Sequence, residues 1–192
     1  MADTLPLRIT SGEFGGRWIE SPVNRELRPT RDAVREAMFG MVESIAPMND
    51  LVVWDLFCGS GALGIEAISR GAAECFFVDT DVQPVVNNLR TLGIKEPRAL
   101  VKRRNALSLK KAPQNQATPN IIFADPPYDL ELARKLLEKC YDCGDENTLW
   151  VIETEASEKL DKYIAKELAG QWEILRDRVY GANRVWILQR IV

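Results

Sequence analysis

A tetrapeptide with distinctive chemistry follows one of the apolar strands predicted from this sequence. The apolar run Ile121–Ala124 leads directly into Asp125-Pro126-Pro127-Tyr128. Asp125 supplies a carboxylate acceptor, the prolines stiffen the loop and aim the Pro126 carbonyl into a cleft, and Tyr128 supplies a flat ring. Two acceptors beside a stacking face suit a planar heteroaromatic base that carries an exocyclic amine. The alternative is a plain proline-rich turn after a buried strand.

A glycine-rich turn follows an earlier apolar strand, residues 51–56. Gly59, Gly61 and Gly64 match the GxGxxG spacing between this strand and a predicted helix. Glycines here permit close approach of a ligand to the backbone, and Gly64 lets the helix pack on the sheet. Asp79 ends the next strand twenty positions after Gly59, where a carboxylate can accept two hydrogen bonds from a ribose diol. The pattern therefore predicts a nucleotide site.

The charge of Asp55 selects among the nucleotides that this turn could bind. Asp55 lies four residues before Gly59, at the end of the strand. A carboxylate there would repel the diphosphate of a dinucleotide, whereas it would attract the amino group of S-adenosylmethionine. The alternative is that Asp55 only caps the turn. We expect the cofactor role, because the whole strand–turn–helix context agrees with it.

The composition excludes several kinds of catalysis. The 192 residues include no histidine, which excludes Ser-His-Asp and Cys-His nucleophile systems, histidine-ligated zinc and imidazole bases. Any catalysis must use carboxylates, hydroxyls, backbone groups or a reactive cofactor. Without a long apolar stretch or a secretory signal, we expect a cytoplasmic protein with no membrane or metal partner. Cys58 and Cys75 are predicted to be buried, reduced thiols, and Cys140 and Cys143 a structural pair rather than a zinc or redox site.

Positive charge is concentrated in one segment, although the formal net charge is −3. Residues 95–111 include seven basic residues and one acidic residue. Such an excess favours contact with nucleic acid phosphates, and the alternative is a solvated face. Arg31 and Arg35 could also contact phosphates, and for these two residues the alternative is an ion pair within their helix. The residues that we expect to contact RNA are Arg17, Arg28, Arg31, Lys102, Arg103 and Arg104.

The elements that must position these residues alternate along the chain. The first segment, through about Ser21, predicts a small β-hairpin, and residues 31–45 predict a helix. Strands are predicted at 51–56, 74–78, 99–103, 120–124, 148–153, 172–179 and 184–191, and helices at 62–69, 82–92, 130–141 and 157–169. Strands separated by such helices predict right-handed βαβ units and a mostly parallel sheet, with the last two strands as an antiparallel hairpin. Because ligands bind where the strand order reverses, the glycine turn and the tetrapeptide 125–128 should face each other across one crevice.

At these residues the sequence resembles the class I S-adenosylmethionine-dependent methyltransferases, and more narrowly the bacterial small-subunit ribosomal RNA guanine-N2 methyltransferases of the D type. The resemblance covers nearly the whole chain. Its marks are Arg8-Ile9, Gly12, residues 15–17, 27–36, 55–67, 69–72 and 125–128, and the terminal hairpin. Residues 27–36 are the most family-specific, whereas DNA adenine and protein glutamine methyltransferases share related forms of the tetrapeptide. Asp79 stands where the family commonly has Glu, and Cys58 where it usually has Ala.

The resemblance implies a Rossmann-like α/β fold with a seven-stranded, mostly parallel sheet, a terminal antiparallel hairpin and a small N-terminal β-hairpin and helix extension. Residues 48–192 would be the methyltransferase domain and residues 1–47 an extension on the RNA side, together one compact unit. The implied cofactor is S-adenosylmethionine, bound by Asp55, Phe57, Gly59, Ser60, Gly61, Asp79 and Asn105. The implied catalytic residues, which would bind the target base, are Asp125, Pro126 and Tyr128. The implied partner is small-subunit ribosomal RNA in a partly or fully assembled subunit, bound by a monomer.

Three other functions stay open from the residues alone. An adenine-N6 or protein glutamine-N5 methyltransferase would use a related tetrapeptide. An NAD-dependent oxidoreductase would use the same glycine turn. A non-catalytic RNA-binding module would need only the basic residues, and the intact site at residues 125–128 disfavours it.

Overall fold

The computed structural model describes residues 4–22, 31–111, 117–127 and 130–191, with the side chains of Arg31 and Leu130 left out. The strands are β1 Thr4–Arg8, β2 Trp18–Pro22, β3 Val52–Leu56, β4 Glu74–Asp79, β5 Ala99–Arg103, β6 Ile121–Ala124, β7 Leu149–Glu155, β8 Trp172–Tyr180 and β9 Asn183–Arg190. The α-helices are α1 Arg31–Glu43, α2 Ala62–Ser69, α3 Gln83–Leu92, α4 Leu130–Lys139 and α5 Leu160–Glu167. Short 3-10 helices lie at Ala106–Ser108 and Tyr141–Cys143.

As far as the described residues extend, the central sheet has seven strands in the order β5-β4-β3-β6-β7-β9-β8. The first five of these pair in parallel, whereas β9 and β8 pair antiparallel at one edge. A separate hairpin is formed by β1 and β2. The predicted α/β fold is therefore confirmed. The strand order reverses between β3 and β6, and this is the point at which such sheets bind ligands.

Two glycines let α2 lie close against the sheet and α3. Gly61 precedes the helix with a φ of 78°, and a Cβ there would lie 2.4 Å from Cγ2 of Val85. A Cβ on Gly64 would lie 2.3 Å from the ring of Phe77 and 2.5 Å from the sulfur of Cys75. All three distances are shorter than the contacts that a Cβ makes, so the packing requires glycine at both positions.

Each face of the sheet buries its own apolar layer. One face packs against the N-terminal hairpin and α1, α2 and α3, and its core includes Val53, Phe77 and Phe123. The other face packs against α4 and α5, and its core includes Trp54 and Ile122. Because side chains alternate along a strand, Asp55 shares a face with Val53 and points toward the N-terminal hairpin and α1.

A buried polar network joins the N-terminal hairpin and α1 to α2. Glu66 of α2 is fully buried and accepts hydrogen bonds from the backbone and hydroxyl of Thr10, at 2.8 and 2.6 Å. Arg70 lies 2.9 Å and Arg35 3.5 Å from its carboxylate. These cations offset the cost of burying the charge. Arg35 also pairs with Asp32 over 3.0 Å, which confirms the ion pair within the helix that the sequence left open.

The predicted boundaries hold closely. β5 and α2 have the predicted bounds, whereas α5 begins at Leu160, three residues later than predicted, and α1 ends at Glu43. The two 3-10 helices were not predicted from the sequence. Within the described ranges, none of the helices is both long and apolar enough to span a bilayer.

Candidate functional site

A cleft of about 200 Å³ lies where the strand order reverses. Its floor is formed by the ends of β3, β6 and β7, and the N-terminal hairpin and α1 form one wall. The residues that line it are Leu7, Ser21, Pro22, Val34, Arg35, Asp55, Phe57, Cys58, Gly59, Ser60, Ala62, Leu63, Asp125 and Glu153. The prediction that the glycine turn and the tetrapeptide face one crevice is therefore confirmed for Asp125, whereas Pro126 and Pro127 do not line the cleft and Tyr128 lies outside the described residues.

The glycine turn presents open backbone to the cleft. Gly59 has a φ of 50°, and a Cβ there would meet no atom within 4 Å. Phe57 also adopts a left-handed conformation, with a φ of 60°, which costs energy for a residue with a side chain. Ser60 is buried, and its carbonyl accepts a 2.8 Å hydrogen bond from Asn88. The turn is thus held by the fold while its backbone stays accessible from the cleft.

Asp55 is a buried carboxylate at the base of the cleft, only 2% exposed. Its Oδ2 accepts a 2.8 Å hydrogen bond from the Gly64 N–H, so it does fasten the turn to α2. Burial raises the pKa of Asp55 to about 7, and the negative charges of Asp125 and Asp79 add to the rise. A cation placed beside Asp55 would relieve both effects. The capping alternative and the cofactor role are compatible, and the cofactor role stays a prediction.

Asp79 and Asn105 already make hydrogen bonds within the protein. Asp79 accepts from the Gly59 N–H at 2.8 Å and from the Asp81 N–H at 3.1 Å. Asn105 caps the short helix that follows β5, since its Oδ1 accepts from the Leu107 N–H at 2.9 Å. Carboxylate and amide oxygens each have two acceptor sites, so binding a nucleotide stays possible for both. Their contacts to ribose and adenine stay predictions.

Asp125 stands at the rim of the cleft, directly after β6. Leu56 pairs with Ala124 across β3 and β6, so Asp125 begins the loop beside the glycine turn. Asp125 is exposed, whereas Pro126 behind it is buried. Tyr128 lies outside the described residues, and the roles of all three residues stay predictions.

The basic residues predicted to bind RNA lie at opposite ends of the strands. We call these ends the carboxyl edge, where the parallel strands end and the cleft lies, and the amino edge, where the parallel strands begin. Lys102, Arg103 and Arg104 are exposed at the carboxyl end of β5, on the same edge as the cleft. Arg17 instead donates a 3.1 Å hydrogen bond to the carbonyl of Thr91, near the last residue of α3. Because α3 leads from the carboxyl edge back to the amino edge, Arg17 lies about 15 Å from the edge that carries the cleft. Arg28 and the side chain of Arg31 lie outside the described residues.

Glu153 and Arg35 line the cleft although the sequence did not predict them as site residues. A signal for Glu153 was available, since it is the first charged residue after the buried run 149–152, as Asp125 is after Ile121–Ala124. No comparable signal exists for Arg35, whose place depends on how α1 packs.

The four cysteines are free and buried, which confirms the prediction for Cys58 and Cys75. Cys140 donates a 3.4 Å hydrogen bond from its sulfur to the carbonyl of Ala106, and Cys143 ends the neighbouring short helix. Among the residues that the structure describes, no group of three or more cysteine and acidic side chains could hold a metal ion.

Comparison with known proteins gives matches along nearly the whole chain. The profile of the family described as "Conserved hypothetical protein 95" matches residues 7–189. Ribosomal RNA small subunit methyltransferase D of Escherichia coli (strain K12) is 35% identical over 191 residues, which cover 96% of this chain and 90% of that protein. The protein of the same name from Haemophilus influenzae is 31% identical over 180 residues, covering 91% and 89%.

The fold is also similar to that of a solved structure. The solved structure of the Escherichia coli protein yhhF has a TM-score of 0.77 and is 31% identical, with 98% of this chain and 99% of that chain covered. The resemblance predicted from the glycine turn, residues 27–36 and the tetrapeptide is thereby confirmed. The chain belongs to the family described as "Conserved hypothetical protein 95", the family of the ribosomal RNA small subunit methyltransferases D.

Proposed function

We propose that this protein transfers a methyl group from S-adenosylmethionine to the exocyclic N2 amine of a guanine in small-subunit ribosomal RNA. The observation that carries this proposal is a single cleft with Asp55 at its base and Asp125 at its rim. The relatives from Escherichia coli and Haemophilus influenzae, named ribosomal RNA small subunit methyltransferase D, support the reaction class and the substrate.

The glycine turn and its carboxylates fit S-adenosylmethionine. The raised pKa of Asp55 indicates a site in which a neighbouring ammonium group would be stabilised. The open backbone at Gly59 leaves room for the methionine moiety, and Asp79 has acceptor sites for ribose hydroxyls. A dinucleotide would bring its diphosphate toward Asp55, Asp125 and Glu153, so the same charges disfavour NAD. When bound, the cofactor supplies an electrophilic methyl group.

Asp125 and Pro126 would position the amine of the target base. The guanine amine is a poor nucleophile, because its lone pair is delocalised into the ring. Hydrogen bonds from its N–H groups to the Asp125 carboxylate and the Pro126 carbonyl would favour a pyramidal nitrogen with its lone pair directed at the methyl group. The nitrogen becomes acidic as its bond to carbon forms, so a proton can leave to Asp125 or to water. Tyr128 would stack on the base.

The RNA would approach from the edge of the sheet that carries the cleft. Lys102, Arg103 and Arg104 are exposed there, within the segment 95–111 that has seven basic residues and one acidic residue. Leu7, Ser21 and Pro22 of the N-terminal hairpin line the cleft, which supports a substrate-side role for residues 1–47. An RNA that also contacts Arg17 must extend along the hairpin to the opposite edge.

The test supplies S-adenosylmethionine with a labelled methyl group and three acceptors, namely small ribosomal subunits from a strain lacking the gene, DNA, and release-factor protein. We expect label in small-subunit RNA, recovered after digestion as N2-methylguanosine, and a much lower rate of labelling with the Asp125→Ala protein. Label in N6-methyladenine or in a protein glutamine would refute the proposal and identify the corresponding alternative. Binding of reduced NAD in place of S-adenosylmethionine would establish an oxidoreductase instead.

A further inference from the structure

The cleft contains a third acidic side chain at the end of a strand, beside Asp55 and Asp125, and the proposed mechanism gives it no role. Glu153 belongs to β7, is half-buried, and lines the cleft with Asp55 and Asp125. It belongs neither to the glycine turn nor to the tetrapeptide.

Glu153 and Asp125 are neighbours across the sheet. Ala124 pairs with Ile152 in the parallel strands β6 and β7, so the residues that follow them lie side by side on strands about 4.8 Å apart. Ala124 and Ile152 both pack in the core under α4 and α5. Because side chains alternate, Asp125 and Glu153 both turn to the opposite face, where the N-terminal hairpin and α1 form the wall of the cleft.

The other polar residues at the end of β7 have different surroundings. Thr154 accepts a 2.9 Å hydrogen bond from the indole N–H of Trp186, inside the sheet. Glu155 is exposed and ends the strand. Of these three consecutive residues, all of them described, Glu153 is the one that lines the cleft.

Two carboxylates that lie side by side favour a ligand with a particular arrangement of hydrogen-bond donors. Like charges side by side repel, and a ligand that presents several N–H groups reduces that repulsion. The Watson–Crick edge of guanine presents N1–H directly beside its N2 amine. Adenine presents N1 as an acceptor beside its amine, and a carboxylate facing that lone pair would be repelled.

We propose that Glu153 accepts a hydrogen bond from N1–H of the target guanine and thereby selects guanine over adenine. The inference rests on the proposed function, since it requires a guanine whose N2 amine lies at Asp125. Asp125 then holds the amine that reacts, and Glu153 reads the neighbouring ring nitrogen. Glu153 takes no proton in the reaction, so its effect is on the choice of base.

The test replaces the target guanine with 2-aminopurine, which keeps the amine at C2 but has an acceptor in place of N1–H. Small subunits are reconstituted with RNA that carries either base at the position methylated by the wild-type protein. We expect the wild type to prefer guanine over 2-aminopurine about ten- to a hundredfold in kcat/KM, because this factor corresponds to the free energy of one hydrogen bond to a charged group. In Glu153→Gln the preference should fall to within about threefold, because the amide can donate to the N1 lone pair of 2-aminopurine.

Two further variants separate recognition from folding. Glu155→Gln, a matched change on the same strand, should keep the wild-type preference. Glu153→Asp keeps the charge and should retain the preference for guanine at a lower kcat/KM. An unchanged preference in Glu153→Gln, or equal losses on both bases with a lowered unfolding temperature, overturns the assignment. A wild-type protein that methylates adenine and no guanine overturns the proposed function instead, and that result appears before any variant is made.

Discussion

The N–H of Gly59 donates a 2.8 Å hydrogen bond to Oδ2 of Asp79, which ties the glycine turn to the end of the neighbouring strand. The second carboxylate oxygen accepts from the Asp81 N–H at 3.1 Å. Asp79 therefore fixes the shape of the turn as well as facing the proposed ribose site. The Asp79 side chain, which stands where the family commonly has Glu, thus holds the backbone that is proposed to contact the cofactor.

Replacing Asp79 should weaken cofactor binding through both roles. We expect Asp79→Ala to reduce the affinity for S-adenosylmethionine about ten- to a hundredfold, because it removes a charged acceptor and leaves the Gly59 N–H unpaired. Asp81→Ala is the matched control, since that exposed carboxylate lies 3.8 Å from Arg103 and outside the turn. Titration calorimetry measures both affinities, and equal binding by the two variants would contradict a ribose role for Asp79.

The affinity for S-adenosylmethionine should depend on pH through Asp55. Its pKa of about 7 means that the carboxyl is protonated in acidic solution, where it cannot attract an ammonium group. We expect the affinity to fall by about tenfold for each pH unit below 7. Asp55→Asn, which can still accept from the Gly64 N–H, should bind more weakly and without this dependence. Calorimetry in buffers of different ionisation enthalpy should detect proton release by the wild type alone.

The same pKa predicts how stability changes with pH when no ligand is bound. The folded-state pKa of Asp55, about 7, lies above the ordinary value of 3.8. Between these values the folded protein keeps a proton that the unfolded chain has lost, so the contribution of Asp55 to the free energy of unfolding falls as the pH rises from about 4 to 7. Denaturant titrations across this range should show a flatter profile in Asp55→Asn, and an unchanged profile would contradict the raised pKa.

The elements that carry the site could be predicted because each has a local signal. Ile121–Ala124 and the strand before Gly59 are apolar runs that end at polar residues or glycine, so their ends were visible in the sequence. The parallel order then brought Asp55 and Asp125 together, since the carboxyl ends of neighbouring strands meet at one edge.

What could not be predicted depends on contacts between distant segments. Arg35 lines the cleft because Glu66 and the hairpin hold α1 in place, and nothing near Arg35 in the sequence reports this. Arg17 and Lys102 were both predicted to contact RNA because of their charge alone. Its bond to Thr91 sets it at the opposite edge, which is a consequence of how the hairpin packs on α3.

Removing the carboxylate of Asp125 should affect turnover more than cofactor binding. Asp125 stands at the rim of the cleft, whereas Asp55 at its base would hold the methionine moiety. We expect Asp125→Ala to lower kcat about a hundred- to a thousandfold, the usual effect of removing one positioning acceptor. Its affinity for S-adenosylmethionine at pH 8 should stay close to that of the wild type. Near-full turnover with unchanged affinity would refute the mechanism.

Adding one methyl group at Gly64 should destabilise the protein, because its Cβ would meet the ring of Phe77 at 2.3 Å. We expect Gly64→Ala to lower the free energy of unfolding by about 1–3 kcal/mol. Gly40, inside α1, is the matched control, since a Cβ there would meet nothing within 4 Å. Gly40→Ala should stabilise by about 0.5–1 kcal/mol through lower backbone entropy. Equal effects at the two positions in urea titrations would contradict the close packing of α2 on β4.

Binding to small-subunit RNA should depend on salt through the basic edge beside the cleft. Each phosphate neutralised contributes about −0.7 to −0.9 to the slope of log affinity against log salt. Lys102→Ala and Arg103→Ala should each reduce the slope by about that amount, because both side chains are exposed on the edge that the RNA is proposed to approach. Arg17→Ala reports on the opposite edge, so a matching loss there means that the RNA extends along the hairpin. Filter binding at several salt concentrations measures the slope, and a wild-type slope near zero would contradict phosphate contacts at either edge.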